Sequence, residues 1–489
     1  MTVTVADVTP SVLTARMRFP FHFGSVAVDR SVHVLVELDV EIDGGRETGV
    51  AMGGLHPGWF FKEPDMTVTA GVEAMIDSFR TAWEASMEVE AETPFAFRRA
   101  LYDEQRRWAA GRDPSIPPLA WNYGVSLVEC ALIDAACRYH DVPFARAVRK
   151  GLLGIDPGAI YDELDGIDPA DLLPDEPTRE IALRHTVGLT DPLTDADLTD
   201  SSADEHRDDE RPDGDLPHTL REQIEAYGVD RFKIKLSSDS ARDRERLRRI
   251  AGVLDDSDLD SYAVSLDANE GYGTVREFRR DWERLTGDPA LDTLLDSLLY
   301  VEQPLARNAA FGLETARVLR EWDEVPVIID ESDDRPGSLK RALDCGYAGT
   351  SHKNCKGVFE GVVNRCLIER RRRTDPEGTY LMSTEDLTTL GPIELSQDLA
   401  VAATLGVSHV ERNGHHYYRG LDPFPGEIVE ETLAAHGDLY RRHEAGFATL
   451  AVDDGVLNLD SVVDAPFGRA VDVDSDRFTP LSERDIDDL

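Results

Sequence analysis

Basic residues are scarce in this chain. Lysine and arginine number 52 against 95 aspartates and glutamates, a formal net charge of -43 over 489 residues. So acidic a balance argues against nucleic acid or an anionic membrane as partner, because both repel it. Cysteine is also rare. The five present (Cys130, Cys137, Cys345, Cys355, Cys366) are an odd number without the short spacings of a thiolate metal site. Cys130 and Cys137 lie a helical heptad apart in an apolar stretch and read as core thiols. No run of 18 apolar residues occurs, and the N-terminus lacks a basic region followed by an apolar one. The expectation is a chain without a membrane span, working in the cytoplasm.

Hydrophobic residues make up 41 % of the chain and recur periodically, which sets it apart from an acidic disordered polymer. The acidic surplus therefore reads as a solvating surface, of the kind that serves halophilic proteins in high salt, where screening relieves self-repulsion. The length suits about two domains.

Residues 1–150 mix strand and helix signals and read as an α+β capping domain. Val32-His-Val-Leu-Val-Glu-Leu-Asp-Val-Glu-Ile42 alternates as a half-buried strand does, and helical patterns run over 70–88 and 126–139. Two segments rich in Gly, Pro and aromatics flank the strand, one around His22 and Gly24, the other from Gly53 through His56 to Phe61. Both read as binding loops. Beyond residue 180 strand and helix alternate, interrupted at 190–215 by a tract with 11 acidic and two basic residues that reads as a solvated, mobile insertion. Eight strand–helix repeats over 180–422 fit a closed (β/α)8-type barrel better than an open doubly wound sheet. Residues 423–489 read as a C-terminal segment returning to the cap.

Within that alternation three hydrophobic runs end in carboxylates. Tyr262-Ala-Val-Ser-Leu266 leads into Asp267, Leu298-Leu-Tyr-Val301 into Glu302, and Val325-Pro-Val-Ile-Ile329 into Asp330, at spacings of 35 and 28 residues. A lone aspartate at a strand end more often caps the following helix than binds a ligand. Three on successive barrel strands would bury charge together at high cost, and a divalent cation relieves that cost. All-oxygen ligation points to Mg²⁺ over Zn²⁺. Asn269 falls on the face of Asp267 and supports the site, whereas Glu331 points away from Asp330 and is the weaker ligand candidate.

Lysines flank the trio. In Phe232-Lys-Ile-Lys-Leu236, alternation puts Lys233 and Lys235 on one face, which in a barrel is the interior. Beside a dication an ammonium group loses its proton more readily and can serve as a base. Lys353 closes the sixth strand and Lys356 begins the loop after it.

Taken in order, Lys233-Ile-Lys235, Asp267-Ala-Asn-Glu270, Glu302-Gln-Pro304, Asp330-Glu-Ser332 and Lys353-Asn-Cys-Lys-Gly357 resemble the enolase superfamily, in its muconate-lactonizing-enzyme-like and mandelate-racemase-like branches. The resemblance implies Mg²⁺ on Asp267, Glu302 and Asp330. It also implies Lys235, assisted by Lys233, as acid/base on one face of the substrate and Lys353 on the other, with Lys356 competing for the second role. The chemistry implied is removal of the proton α to a small-molecule carboxylate through a metal-stabilised enolate. Racemisation or epimerisation is the first reading. Dehydration of a sugar acid or cycloisomerisation is the second, and a metal-binding homologue without turnover the third. Specificity is expected from His22 and His56 in the cap and from His415 and His416 in Asn413-Gly-His-His-Tyr-Tyr418, with Ser383-Thr-Glu-Asp386 also at a strand end. The chain departs from the family pattern where Val358 replaces the second glycine after Lys356 and where Ser-His precedes Lys353. It also lacks the Asp-x-Asp of many dipeptide epimerases near the eighth strand. Relatives often assemble, so a homo-oligomer is expected.

Overall fold

The computed structural model describes residues 2–23, 26–63, 66–112, 115–200 and 216–483. Most of the acidic insertion, residues 201–215, lies outside that set, so its expected mobility is not addressed by it.

The cap is built on three antiparallel strands, β1 (Val3–Phe23), β2 (Val26–Ile42) and β3 (Gly45–Gly54). Helices Val68–Ser86, Pro94–Ala110 and Pro118–Tyr139 belong to the same domain. The last of these packs so closely on β3 that a Cβ at Gly49 would stand 1.9 Å from Ala131 O. Only glycine fits there. The segment around His22, expected as a loop, instead continues β1 as far as Phe23, paired with β2 through Phe21↔Val28 and Phe23↔Val26. The side chain of His22 is outside the described set. Helix Pro94–Ala110 is absent from the sequence reading because its exposed face is dense in charge. Thr93 starts it by accepting from Ala96 N at 3.1 Å, with Pro94 in the first turn.

Eight parallel strands close the barrel: Glu180–Val187, Arg231–Lys235, Ala263–Asp267, Leu298–Glu302, Val327–Ile329, Gly349–His352, Leu381–Thr384 and His409–Arg412. The eighth pairs with the first through His409↔Ala182. Helices between strands start on local signals. Thr219 with Glu222 and Thr274 with Glu277 form reciprocal capping boxes before helices Leu220–Tyr227 and Val275–Thr286. Past the barrel, Val456–Asn458 adds antiparallel to the first barrel strand, and Thr479–Pro480 pairs with β1.

Register decides what meets at the mouth. Lys235 pairs with Asp267, and Asp267 with Glu302, so these side chains share one level at the C-terminal ends of three adjacent strands. That end of a parallel barrel is where loops converge and chemistry is sited. Among the described residues no helix is long and apolar enough to cross a membrane.

Candidate active site

Four carboxylates and four lysines meet at this mouth. Lys233 Nζ donates to Glu302 Oε1 at 3.0 Å and to Glu385 Oε2, and lies 3.1 Å from Asp267 Oδ2. Lys235 Nζ donates to Asp267 Oδ2 at 2.6 Å and to Asn269 Oδ1 at 2.7 Å. From the sixth strand, Lys353 Nζ donates to Asp330 Oδ1 and Glu385 Oε2, each at 2.8 Å. Its ammonium also lies 5.3 Å from the centre of the Trp59 ring.

Lys356 is held differently. Its Nζ donates to Asp330 O and Ser351 O, each at 2.8 Å, and lies 2.7 Å from Asp330 Oδ1. An ammonium group has three protons to give, and all three are directed at the protein's own frame. Lys353 and Lys356 are three apart in the 3₁₀ turn Asn354–Lys356 and its cap, so they reach the site with different duties.

Asp267, Glu302, Asp330 and Glu385 are all buried. Oxygen atoms of Glu302, Asp330 and Glu385 lie within 4.8 Å of one another, close enough to share a cation. Asp267, expected as a ligand, is not in that trio; Lys233 and Lys235 reach it from the second strand. Buried oxygens without a hydrogen-bond partner remain on Glu302 (Oε2) and Asp330 (Oδ2). Orphaned, buried carboxylate oxygens in an all-oxygen setting are what a hard divalent cation satisfies, so the residues present fit Mg²⁺.

The charges are mutually dependent. Burial and the neighbouring Asp267 and Glu385 push the Glu302 carboxyl well above its ordinary range. Burial acts the same way on Glu385 but is outweighed by Lys233, Lys353 and Arg184, which hold it well below. Asp330 is likewise held down, against burial, by Lys353 and Lys356. Burial alone would favour the neutral form of Lys233 and Lys353. The carboxylates around them outweigh it and hold both well above the ordinary lysine value.

Asn269 does support the site. It sits in the left-handed region at φ +42°, accepts from Lys235 and donates from Nδ2 to Glu331 Oε1 at 3.2 Å. Glu331 faces away from Asp330 toward Asn269 and Lys62, the latter at 3.7 Å, and burial together with Asp330 pushes its carboxyl up to about 7. Lys62 and Arg307 tie the cap loop down over the mouth. Arg307 donates to Trp59 O at 3.3 Å and to Phe60 O at 3.4 Å while bonding Glu270 at 3.0 Å.

The histidines are spread around the cap–barrel seam. His56 precedes the short helix Pro57–Phe60 and is half-buried, with its Nε2 buried and unpartnered, and desolvation lowers its value to about 3. Its ring centre lies 5.8 Å from that of His33, which bonds Glu394 at 3.1 Å. His415 and His416 are both buried, so neither faces solvent. His415 Nε2 meets His185 Nδ1 at 3.2 Å, and His416 Nδ1 meets Gln223 Nε2 at 2.9 Å under the ring of Phe19. Both are engaged with protein partners rather than with the carboxylate cluster. Between cap and barrel a cavity of ≈ 30 Å³ has Lys353, Met52, Tyr123, Leu387 and Glu394 among its walls.

Sequence reasoning missed the central part of Glu385. Its Oε2 accepts from lysines on opposite sides of the barrel, while Arg184, from the first strand, holds Oε1 at 2.9 Å. The signal was present, since Glu385 directly follows a barrel strand, Leu381–Thr384, much as Asp267 and Glu302 close theirs.

No family model and no curated protein matches the chain. Solved structures do. An enolase from Bradyrhizobium, complexed with magnesium and mandelic acid, is similar at 16 % identity and TM-score 0.59 over 96 % of each chain. A mandelate racemase/muconate lactonizing enzyme from Bordetella bronchiseptica matches at 15 % identity and TM-score 0.57, covering 97 % of this chain and 98 % of that one. A dipeptide epimerase from Enterococcus faecalis, complexed with Mg and L-Leu-L-Tyr, gives 12 % and 0.57 over 96 % and 99 %. The chain has the enolase-superfamily fold. Within that fold its acids and lysines occupy the ends of barrel strands two to seven, facing a roof supplied by the cap.

Proposed function

We propose that this chain is an Mg²⁺-dependent enzyme of the enolase-superfamily type that removes the proton α to a carboxylate of a small molecule. The observation that carries this reading is the pair Lys235 and Lys353. They stand on the second and sixth barrel strands with the carboxylate cluster between them, and each is bonded to a different member of it. Glu302 and Asp330, with Asp267 and Glu385 beside them, would hold the cation. Mg²⁺ there supplies positive charge that lowers the cost of the negative charge developing on the substrate carboxylate.

Everything else is done by the chain itself. Lys235, about a quarter exposed and steadied by Asn269, takes or gives the proton on the open side. Lys353, buried beneath Trp59, does so on the roofed side. Lys233 is shared among acids and fixes their positions, and Lys356 is spent on backbone carbonyls, so Lys353 is the proton carrier of its pair. The cap loop excludes water from the closed side. With a base on each face, racemisation or epimerisation is the favoured outcome.

The test is solvent exchange. Carboxylic acids, 2-hydroxy acids and dipeptides incubated in D₂O with Mg²⁺ should gain deuterium at the α-carbon, and chelation of the metal should stop it. A keto acid product would redirect the reading to dehydration. Exchange that persists under chelation would contradict it.

A further inference from the structure

The cap helix Pro118–Tyr139 reaches both loops that close the site. Asn122 Nδ2 donates to Lys356 O at 2.9 Å, with both residues buried. The next residue, Tyr123, donates its hydroxyl to Gly54 O at 3.1 Å, at the root of the loop that carries Trp59. Two turns further on, Glu129 Oε1 accepts from Phe359 N at 2.6 Å while Arg98 holds its other oxygen at 3.3 Å.

Phe359 N belongs to the first turn of barrel helix Val358–Thr374, where backbone donors lack partners within the helix. The residue at the cap position is Gly357, at φ +116°, which has no side chain to accept them. Glu129 takes that part from another domain. The approach is tight, since a Cβ on Gly357 would lie 2.9 Å from Arg98 Nη2 and 3.1 Å from Glu129 Oε2. The segment from Lys356 to Phe359 is thus bracketed from the cap, at Lys356 O and at Phe359 N, and Lys356 N donates back to Lys353 O at 2.9 Å, which ties Lys353 to the bracket. The second barrel strand, carrying Lys233 and Lys235, takes its register from barrel strands on both sides.

We propose that Asn122 and Glu129 are positioning residues for Lys353, so that one of the two proton-transfer faces is set by the cap and the other by the barrel. The inference rests on the two-lysine reading above. A displacement of about 1 Å at a reacting group costs on the order of a hundredfold in rate, so loosening this bracket should be visible on one face alone.

The experiment follows α-proton exchange of each enantiomer in wild type, Asn122→Ala, Glu129→Ala and Glu129→Gln, with Lys353→Ala defining which enantiomer belongs to Lys353. Asp134→Asn is the control, because Asp134 sits on the same helix but bonds Val50 N, Arg138 and Arg469. Asn122→Ala and Glu129→Ala should slow the Lys353 face about tenfold or more and the Lys235 face less than about twofold, with Glu129→Gln restoring most of the loss. Equal loss on both faces, or the same asymmetry in Asp134→Asn, overturns the proposal. Should Asn122→Ala fail to fold, the near-isosteric Asn122→Asp removes the same donor.

Backbone amide exchange is read on the same proteins without substrate. Asn122→Ala should speed exchange across 354–361 and leave 231–236 unchanged, and no difference between the two segments overturns the inference. Wild type that exchanges no substrate would sink the functional reading instead, leaving the amide measurement to decide this one.

Discussion

The two lysine pairs solve one problem in two ways. On the second strand the pair is two residues apart, so strand alternation puts both ammonium groups into the barrel at different depths. The deeper, Lys233, is buried and shared among acids, and the shallower, Lys235, meets solvent. On the other side the pair is three apart across a 3₁₀ turn, and both members are buried. There the two differ in partners: Lys356 bonds two backbone carbonyls as well as the Asp330 carboxylate, whereas Lys353 bonds the carboxylates of Asp330 and Glu385 and faces Trp59. In each pair one lysine holds the frame and the other is left to move a proton. Spacing alone does not reveal which is which.

The largest effect should come from the acids that both sides share. Asp330→Asn removes the negative charge that Lys353, Lys356 and Ser351 share. It should abolish calorimetrically detected Mg²⁺ binding and lower exchange at both faces together, because neither lysine pair alone assembles the cation site. Loss at one face only would break the comparison.

Next is the contrast within the sixth-strand pair. Lys356→Met leaves Asp330 O and Ser351 O short of a buried donor and should destabilise the fold by about 3 kcal/mol in denaturant titration. Lys353→Met should cost less stability and far more activity. The reverse order would exchange the roles assigned to the two.

A smaller effect separates the sides by pH. Burial pushes the Glu360 carboxyl up to about 7, with Asp333 and Glu129 acting in the same direction against Arg98. A carboxyl whose folded value is raised binds more protons when folded than when unfolded. Its contribution to stability is present below the unfolded value and lost as pH rises toward 7. Thermal melts of wild type should therefore weaken over about pH 5–7, and Glu360→Gln should flatten that slope. An unchanged slope would remove Glu360 from the account.

Much of this was legible in the sequence. Helix Leu220–Tyr227 and the strands ending at Asp267 and Glu302 follow from periodicity and strand-end acids, since buried parallel strands read as short apolar runs. The motifs also placed Lys233 and Lys235 on the second strand and Lys356 in the loop after the sixth, while Lys353, expected to close that strand, directly follows its last residue, His352. What the sequence hid depends on partners far apart in the chain. Glu385 is marked only by its place at a strand end, and its central part shows when Lys233 and Lys353 converge on it from either side. Asn122 lies 234 residues from Lys356, and no local pattern marks it. His415 and His416 stood out as polar candidates; each is buried with one ring nitrogen on His185 or Gln223 and the other without a hydrogen-bond partner, an arrangement that no local pattern shows. The strand continuing through His22 was obscured by proline and aromatics that resemble a loop.

The central claim is that Lys235 and Lys353 serve opposite faces of one substrate. The most direct measurement is deuterium incorporation into each enantiomer separately, under Mg²⁺, by Lys235→Ala and Lys353→Ala. The account predicts that each variant loses exchange of one enantiomer, by about 100-fold or more, and retains exchange of the other. Both variants losing the same enantiomer, or Lys353→Ala exchanging both as wild type does, would contradict it.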